Sequence, residues 1–349
     1  MKPNIVILDG YTLNPGDLSW DGLEALGELT VYERTGTDES LILERSAGAE
    51  ILITNKTKLS RRVIGHLSKL RCIGVLATGY DVVDAAAAAE RCVPVTNVPT
   101  YGTDSVAQLV FAHILHFCHH VREHSDSVKS GDWTASGDFS YWNYPLIELA
   151  GKTLGIIGFG RIGRRVGEIA AAFGMNVLAH DISPGPGPRW ASSEDAKEYG
   201  PFSRVGTFSW TELDNLYARS DFISLNCALT EENRGMINEE ALSKMKSTCF
   251  LVNASRGGLV IDKDLAAACN DGLIAGAGID VLGTEPPGPD SPLYSAAAVT
   301  ITPHIAWATK EARTRLMKTA FDNVRAFLDG SPVNIVNGVN GTGNDLKAP

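Results

Sequence analysis

The chain has 349 residues, of which 44% are hydrophobic and 21% are charged. This length exceeds what one hydrophobic core usually serves, and the composition is typical of a folded globular protein, so we expect two domains. The formal net charge of -10 repels phosphate backbones and anionic lipid, which argues against nucleic acid and membranes as partners.

Short apolar runs alternate with helical patterns along the chain, which predicts parallel sheets joined by crossover helices. The predicted strands of a first sheet are 5–9, 29–34, 49–54, 72–78 and 93–98. A long helix is predicted from Asp104 to about His124. The predicted strands of a second sheet are 151–158, 175–180, 221–226, 249–253, 275–281 and 298–302. A last helix, predicted near 309–328, is free to pack back on the first domain.

The cysteines and the apolar runs indicate a compartment. The six cysteines form no CxxC pair, which indicates reduced thiols rather than a disulfide scaffold or a zinc site. The apolar run that starts at Ile5 is too short for a signal peptide, and no apolar stretch reaches the roughly 18 residues of a membrane span. We therefore expect a cytoplasmic protein.

A glycine-rich motif follows the first strand of the second sheet. It matches the GxGxxG pattern with the residues Gly158, Phe159, Gly160, Arg161, Ile162 and Gly163. A strand precedes it, a helical pattern follows it, and the next strand ends in Asp181, 18 residues after the last glycine. Backbone amides at such a helix N-terminus suit a pyrophosphate, and Asp181 would accept hydrogen bonds from ribose hydroxyls while repelling the phosphate of NADP. We predict NAD as the cofactor; the alternative is a structural turn capped by Asp181.

Three polar side chains, Arg256, Glu285 and His304, each follow one of the last three predicted strands. Because the carboxyl ends of parallel strands share one edge, we expect these side chains to converge beside the nicotinamide. Arg256 offers a planar donor fork for a 2-keto acid, and His304 suits proton transfer near neutral pH. Glu285 can hold the imidazole and favour its protonated form. Singly, each has a structural alternative, namely a surface ion pair, a loop acid or a core histidine.

The sequence resembles the D-isomer-specific 2-hydroxyacid dehydrogenase family from about residue 1 to about residue 337. The motifs that carry the resemblance are LATGYDVVD (76–84), NVPTYGTDSVAQ (97–108), GFGRIG (158–163), NASRGG (253–258), GAGIDVLGTEPP (276–287) and TPHIAWAT (302–309). Within the family, the segments 53–60, 100–108, 141–160 and 303–309 look most like the glycerate dehydrogenase, or hydroxypyruvate reductase, branch.

The resemblance implies the catalytic roles of Arg256, Glu285 and His304, and it implies that the backbone amides of Thr78 and Gly79 hold the substrate carboxylate. It also implies that Thr103 contacts the pyrophosphate of the cofactor. Contacts with the nicotinamide are implied for Ala254, Ser255 and Asp280. Two further expected cofactor contacts are Cys227 and Ala228, the latter standing where the family usually has proline. The family uses the helix from Asp104 in a dimer contact, so we expect a homodimer that also buries the aromatic stretch 131–145.

Together, these patterns predict an α/β protein of two doubly wound, Rossmann-like domains with the cofactor domain inserted into the substrate domain. The expected bounds are 1–100 with 305–349 for a flavodoxin-like substrate domain, and 101–304 for the NAD domain. The Pro/Gly-rich segment 183–206 is predicted to be a loop, and residues 341–349 are expected to fray.

The helix from Asp104 carries His113, His116, His120 and His124, which we expect on one face. Since no carboxylate or cysteine is clearly placed with them, we predict no metal.

Two other functions stay open. One is an NAD-sensing scaffold, against which the intact Arg–Glu–His set argues. The other is a different 2-keto acid, such as pyruvate, glyoxylate or phosphohydroxypyruvate, because one methylene changes discrimination by only about 1–3 kcal/mol.

Overall fold

The computed structural model describes residues 2–188, 190 and 206–339. The chain divides into two compact units, Met1–Gly102 with Trp307–Pro349, and Thr103–Ala306, so the second unit is inserted in the first along the sequence. The predicted loop 183–206 lies partly outside the described residues, and the predicted frayed residues 341–349 lie wholly outside them. In the described ranges, no helix combines the length and the apolar character that a membrane crossing requires.

The first unit is built on a five-stranded parallel sheet. Its strands are β1 (Asn4–Ile7), β2 (Glu28–Val31), β3 (Ile51–Thr54), β4 (Cys72–Val75) and β5 (Val95–Thr96). The helices between them are α1 (Asp21–Glu24), α2 (Glu39–Ser46), α3 (Arg61–His66) and α4 (Ala85–Glu90). The strand order is β2-β1-β3-β4-β5, which is the flavodoxin-like order.

The second unit is built on a seven-stranded parallel sheet. Its helices are α5 (Thr103–His119), α6 (Val121–Ser130), α7 (Asp132–Ser136), α8 (Arg161–Ala172), α9 (Leu213–Arg219), α10 (Glu239–Ser243) and α11 (Asp262–Asn270). Its strands are β6 (Thr153–Ile157), β7 (Asn176–His180), β8 (Phe208–Trp210), β9 (Phe222–Leu225), β10 (Phe250–Asn253), β11 (Gly276–Ile279) and β12 (Val299–Ile301). The order β12-β11-β10-β9-β6-β7-β8 reverses beside β6, the kind of point where open α/β sheets bind ligands. The predicted fold class is confirmed.

Strands β1, β3, β4 and β5 of the first sheet are buried on both faces, which explains why they are mainly apolar rather than alternating, whereas the edge strand β2 is largely exposed. Ile5 and Ile7 of β1 belong to one hydrophobic core, whereas Val6 belongs to the core on the other face. Helix α12 (Lys310–Leu328) adds Leu316 to the core that holds Ile5. The last helix therefore packs on the first unit, as its place after the final strand predicts.

The long helix predicted from Asp104 is two helices. Helix α5 ends at His119, because His120 has φ 44° and ψ 47°, a left-handed conformation that cannot continue an α-helix. The expectation that four histidines share one helical face is therefore wrong. His113 is buried in α5, and His124 lies in α6 beyond the break.

Helix α5 lies very close to β11 at Gly278. A Cβ atom built on this glycine would lie 2.6 Å from Cγ and 2.7 Å from Cβ of His113. The imidazole has little freedom to move aside, since its Nδ1 is 3.0 Å from Oγ1 of Thr300. Glycine at this position therefore sets the distance between the helix and the sheet.

We expect Gly278→Ala to lower stability by about 1–3 kcal/mol, the usual cost of overpacking a core. The measurement is the melting temperature by circular dichroism. The control is Gly65→Ala in α3, where no described atom lies within 4 Å of a new Cβ. That change should be neutral or stabilising by up to about 1 kcal/mol. Equal melting temperatures for the two variants would show that the close approach carries no cost.

Candidate active site

The turn from β6 into α8 brings backbone against backbone. Gly158 has φ 89°, and a Cβ atom there would lie 2.6 Å from the backbone nitrogen of Cys227 and 2.7 Å from the carbonyl carbon of Asn226. A Cβ atom on Gly163 would lie 2.1 Å from the carbonyl oxygen of Gly158. A side chain at either position would clash with these backbone atoms. The two glycines therefore keep a concave turn of backbone, which we call the cradle.

The same turn ends in a helix N-terminus without a side-chain cap. Gly160 is the N-cap of α8, and Arg161, Ile162 and Gly163 form its first turn. The first backbone N–H groups of a helix and its dipole favour an anion. The cradle and the uncapped helix end together fit the pyrophosphate of a dinucleotide.

Asp181 directly follows β7 and lies against this turn. Its Oδ2 accepts a hydrogen bond of 2.8 Å from the backbone N–H of Phe159, and its Oδ1 accepts one of 3.0 Å from Ser183. Burial raises the pKa of the Cys227 thiol, and the negative charge of Asp181 raises it further. The predicted glycines, Asp181 and Cys227 therefore come together at one place.

The loops after β9 and β10 are joined by hydrogen bonds. Oγ of Ser255 donates to the carbonyl oxygen of Cys227 at 2.5 Å and so joins the two loops, whereas Nδ2 of Asn233 donates to the carbonyl oxygen of Ala228 at 2.8 Å within the loop after β9. Ala254 is buried and belongs to the hydrophobic core to which α5 contributes. Thr103, predicted at the pyrophosphate, is the half-buried first residue of α5.

Glu285 and His304 are in direct contact. Oε2 of Glu285 lies 2.6 Å from Nδ1 of His304, and Oε1 accepts a 3.0 Å hydrogen bond from the backbone N–H of Leu282. The carboxylate is thus held by its own loop while it orients the ring. With Nδ1 engaged, Nε2 is the ring atom left for a substrate. Both side chains are about one-third exposed, at 34% and 30%, which leaves the pair accessible.

The loop that carries His304 is anchored by Asp280, a fully buried residue at the end of β11. Its Oδ1 accepts hydrogen bonds from the Thr302 hydroxyl at 2.6 Å and the Ile305 N–H at 2.9 Å. Its Oδ2 accepts one of 2.9 Å from the Ala306 N–H, and its backbone oxygen accepts one of 2.8 Å from His304. Sequence reasoning assigned Asp280 to the cofactor alone and missed this anchoring role.

Arg256 follows β10 on an equally ordered loop. The buried Asn253 accepts a 3.1 Å hydrogen bond from the Ser255 N–H and donates one of 3.0 Å to the Arg256 carbonyl. A Cβ atom on Gly257 would lie 1.8 Å from the carbonyl oxygen of Leu282. Gly257 therefore allows the loop that carries Arg256 to pack closely against the loop that carries Glu285. Its role is not only to leave space around Arg256.

The three predicted catalytic residues share one edge of the sheet. Strands β10, β11 and β12 are parallel neighbours, and the three residues follow their carboxyl ends in that order. Glu285 and His304 touch, whereas the exposed Arg256 donates from Nη1 to the carbonyl oxygen of Ser255 at 2.8 Å. Asn253, the first residue of the NASRGG motif, is the functional neighbour that the sequence analysis missed.

The predicted carboxylate loop lies in the first unit, directly after β4. Oγ1 of Thr78 donates to the carbonyl oxygen of Val98 at 2.8 Å, and Nδ2 of the buried Asn97 donates to the carbonyl oxygen of Thr78 at 2.7 Å. These two bonds fix the backbone of the loop, so the Thr78 and Gly79 amides have a defined position within their unit.

Known proteins resemble the whole chain. The hydroxypyruvate reductase of Blautia hydrogenotrophica is 48% identical over 95% of this chain and 99% of its own length. The glycerate dehydrogenase of Methylorubrum extorquens is 38% identical over 96% of this chain and 99% of its own length. The solved structure of the D-lactate dehydrogenase of Aquifex aeolicus, complexed with NAD and lactic acid, has a TM-score of 0.77 and 29% identity, over 96% of this chain and 99% of that one.

The sequence profile described as "D-isomer specific 2-hydroxyacid dehydrogenase, NAD binding domain" matches residues 111–306. That match contains the glycine turn and all three predicted catalytic residues, and it confirms NAD as the predicted cofactor and an oxidoreductase as the class of protein. With the profile covering more than half of the chain and the relatives covering nearly all of it, the chain belongs to the D-isomer specific 2-hydroxyacid dehydrogenase family.

Proposed function

We propose that this enzyme reduces a small 2-keto acid to the D-2-hydroxy acid with NADH, and that hydroxypyruvate, which gives glycerate, is its favoured substrate. The observation that carries the proposal is the 2.6 Å contact between Glu285 and His304, on the sheet edge that also holds Arg256. The names of the relatives from Blautia hydrogenotrophica and Methylorubrum extorquens support the choice of substrate.

The three side chains have separate roles in the proposed reaction. Bound NADH supplies the hydride that C2 of the keto acid accepts. Arg256 binds the substrate carboxylate and the carbonyl oxygen through its planar fork of N–H donors. His304 gives the proton on Nε2 to the carbonyl oxygen, which becomes the hydroxyl, and the neutral ring regains a proton from solvent. Glu285 stabilises the protonated ring and holds its orientation.

We assign the other predicted contacts by the same proposal. Residues 101–304 act as the NAD domain, and residues 1–100 with 305–349 act as the substrate domain. The backbone amides of Thr78 and Gly79 bind the substrate carboxylate. Their hydrogen-bonded loop supports this role, because pre-ordered donors need no reorganisation when an anion binds.

The test is a screen of NADH oxidation against hydroxypyruvate, glyoxylate, pyruvate and phosphohydroxypyruvate. Hydroxypyruvate should give the highest kcat/KM. Turnover with none of the four acids, despite NADH binding, would instead identify a scaffold. A higher kcat/KM for another acid would keep the reaction class and replace the substrate.

Two variants serve as controls of the mechanism in that assay. His304→Gln should lose turnover at every pH while NADH binding stays nearly intact. Glu285→Gln should keep NADH binding and lower kcat for reduction, because the ring of His304 loses the carboxylate that holds Nδ1 at 2.6 Å. A kcat equal to that of the wild type would remove Glu285 from its role, even if His304 kept its own.

We expect NADH to be used in preference to NADPH, because Asp181 places a carboxylate at the ribose position where NADP carries a phosphate. Asp181→Ser should raise the ratio of kcat/KM for NADPH to that for NADH by about tenfold or more, which corresponds to about 1.4 kcal/mol. Asp214→Ser, at an exposed residue of α9, is the matched control and should leave the ratio unchanged. A wild-type enzyme that uses NADPH as well as NADH would refute the role of Asp181.

We also propose a homodimer that buries α5 and the stretch 131–145. The support is a run of strongly exposed apolar side chains in and beside this stretch. They are Val121 at 70%, Phe139 at 94%, Trp142 at 65% and Leu146 at 54%. Several large apolar side chains exposed within one segment are typical of an interface.

Light scattering at micromolar concentration should give the mass of two chains. Phe139→Ser with Trp142→Ser should shift the mass towards one chain, because the variant removes the largest apolar area of the stretch. Tyr294→Ser, which removes an exposed aromatic ring elsewhere, should remain dimeric. A monomeric mass for the wild-type protein would refute the proposal.

A cytoplasmic location completes the proposal. All six cysteines are free, and burial raises the pKa of Cys72 and Cys249 to about 12. Unreactive, unpaired thiols are typical of a reducing compartment.

A further inference from the structure

A second cluster of titratable side chains lies at the break between α5 and α6. His116 is in the last turn of α5, His120 is the residue of the break, and Glu123 is in the first turn of α6. One possible ligand atom of each lies within 4.8 Å of the others, and Nε2 of His116 is 3.9 Å from Oε1 of Glu123. All three residues are half-buried.

One oxygen of the Glu123 carboxylate, the buried Oε2, has no hydrogen-bond partner among the described residues. The neighbouring Arg122 does not supply one, because its Nε donates to Asp126 at 2.5 Å. A buried, unsatisfied carboxylate oxygen is unfavourable, and a bound water or ion is one of the explanations for such an atom in a native protein.

Two further histidines lie in this region, and of these His119 is exposed and His124 already has backbone partners. Its Nδ1 lies 3.1 Å and 3.0 Å from the carbonyl oxygens of His119 and His120, and its Nε2 accepts a hydrogen bond of 3.2 Å from the Asn143 N–H. Both ring nitrogens have backbone partners. The candidate ligands are therefore the two imidazoles of His116 and His120 and the carboxylate of Glu123.

The geometry is close to that of a metal site. Ligand atoms at about 2.0–2.1 Å from a tetrahedral zinc ion lie about 3.4 Å from one another. The three ligand atoms would have to approach by up to about 1.4 Å, which rotations of long side chains can supply. Two imidazoles with one carboxylate suit zinc, cobalt or nickel better than magnesium or calcium, which prefer oxygen ligands.

We propose that His116, His120 and Glu123 bind one divalent transition-metal ion, with zinc as the favoured ion and water in the fourth position. The ion satisfies Oε2 of Glu123 and ties the end of α5 to the start of α6 across the left-handed residue. The site is structural rather than catalytic. Its residues are spaced i, i+4 and i+7, a pattern that is visible in the sequence. The expectation of no metal considered the histidines without Glu123.

The experiment is equilibrium dialysis of the full chain against zinc, with the bound metal counted per chain. Wild type should bind one equivalent more than His116→Ala and Glu123→Gln. His119→Ala is the matched control, because His119 is exposed on the same helix and keeps its backbone carbonyl in the variant. It should bind as much zinc as wild type. Any zinc bound by the His304–Glu285 pair does not change the difference between the proteins, since the wild type and all three variants contain that pair.

The melting temperature gives a second readout. Zinc should raise it in wild type and His119→Ala, because a ligand that binds only the folded state stabilises that state, and it should not do so in the two ligand variants. Equal zinc content in wild type, His116→Ala and Glu123→Gln would overturn the proposal. Should His116→Ala fail to fold by circular dichroism, the nearly isosteric Glu123→Gln decides alone.

Discussion

The position of the His304 loop depends on one buried charge, the carboxylate of Asp280. Its two oxygens accept three hydrogen bonds from the loop, and its backbone oxygen accepts a fourth from His304 itself. Hydrogen bonds to a charged group are stronger than those between neutral groups, and a buried carboxylate that loses them is costly. Glu285 lies on the loop that leaves the same strand. Asp280 therefore fixes the His304 end of the Glu285–His304 contact, and the Leu282 N–H holds the Glu285 end.

Close backbone packing places the other two parts of the site. Gly257 lets the Arg256 loop touch the carbonyl of Leu282, and Gly158 lets the nucleotide turn touch the loop after β9. A side chain at either position would separate neighbouring loops by the width of a methyl group. Hydrogen bonds over about 3 Å tolerate no such shift. Sterics and hydrogen bonding thus impose the same requirement, that loops from adjacent strands meet without a side chain between them.

The sequence predicted those parts of the fold that follow from local pattern. Eleven of the described strands lie within or overlap predicted apolar runs, and the glycine motif and the catalytic residues stand directly after strand ends. Strand β8 was missed because it has three residues and follows the Pro/Gly-rich segment. The break at His120 was missed because a positive φ is uncommon for any residue other than glycine and no glycine or proline marks this position. The anchoring by Asp280 joins residues more than 20 positions apart, and no local pattern reports such a bond.

The charge of Asp280 also explains the arrangement of the neighbouring histidine. Burial lowers the pKa of His113, and the opposing effect of Asp280 is smaller, which favours the neutral ring; a neutral imidazole has one donor and one acceptor. The Thr302 hydroxyl donates its hydrogen bond to Asp280. It can therefore act only as an acceptor for Nε2 of His113, at the long distance of 3.4 Å. Nδ1 is then the acceptor for the Thr300 hydroxyl at 3.0 Å. Among the described residues, the Asp280 carboxylate accepts hydrogen bonds from the Thr302 hydroxyl and from the Ile305 and Ala306 N–H groups, so the loop cannot leave without exposing an unpaired buried anion.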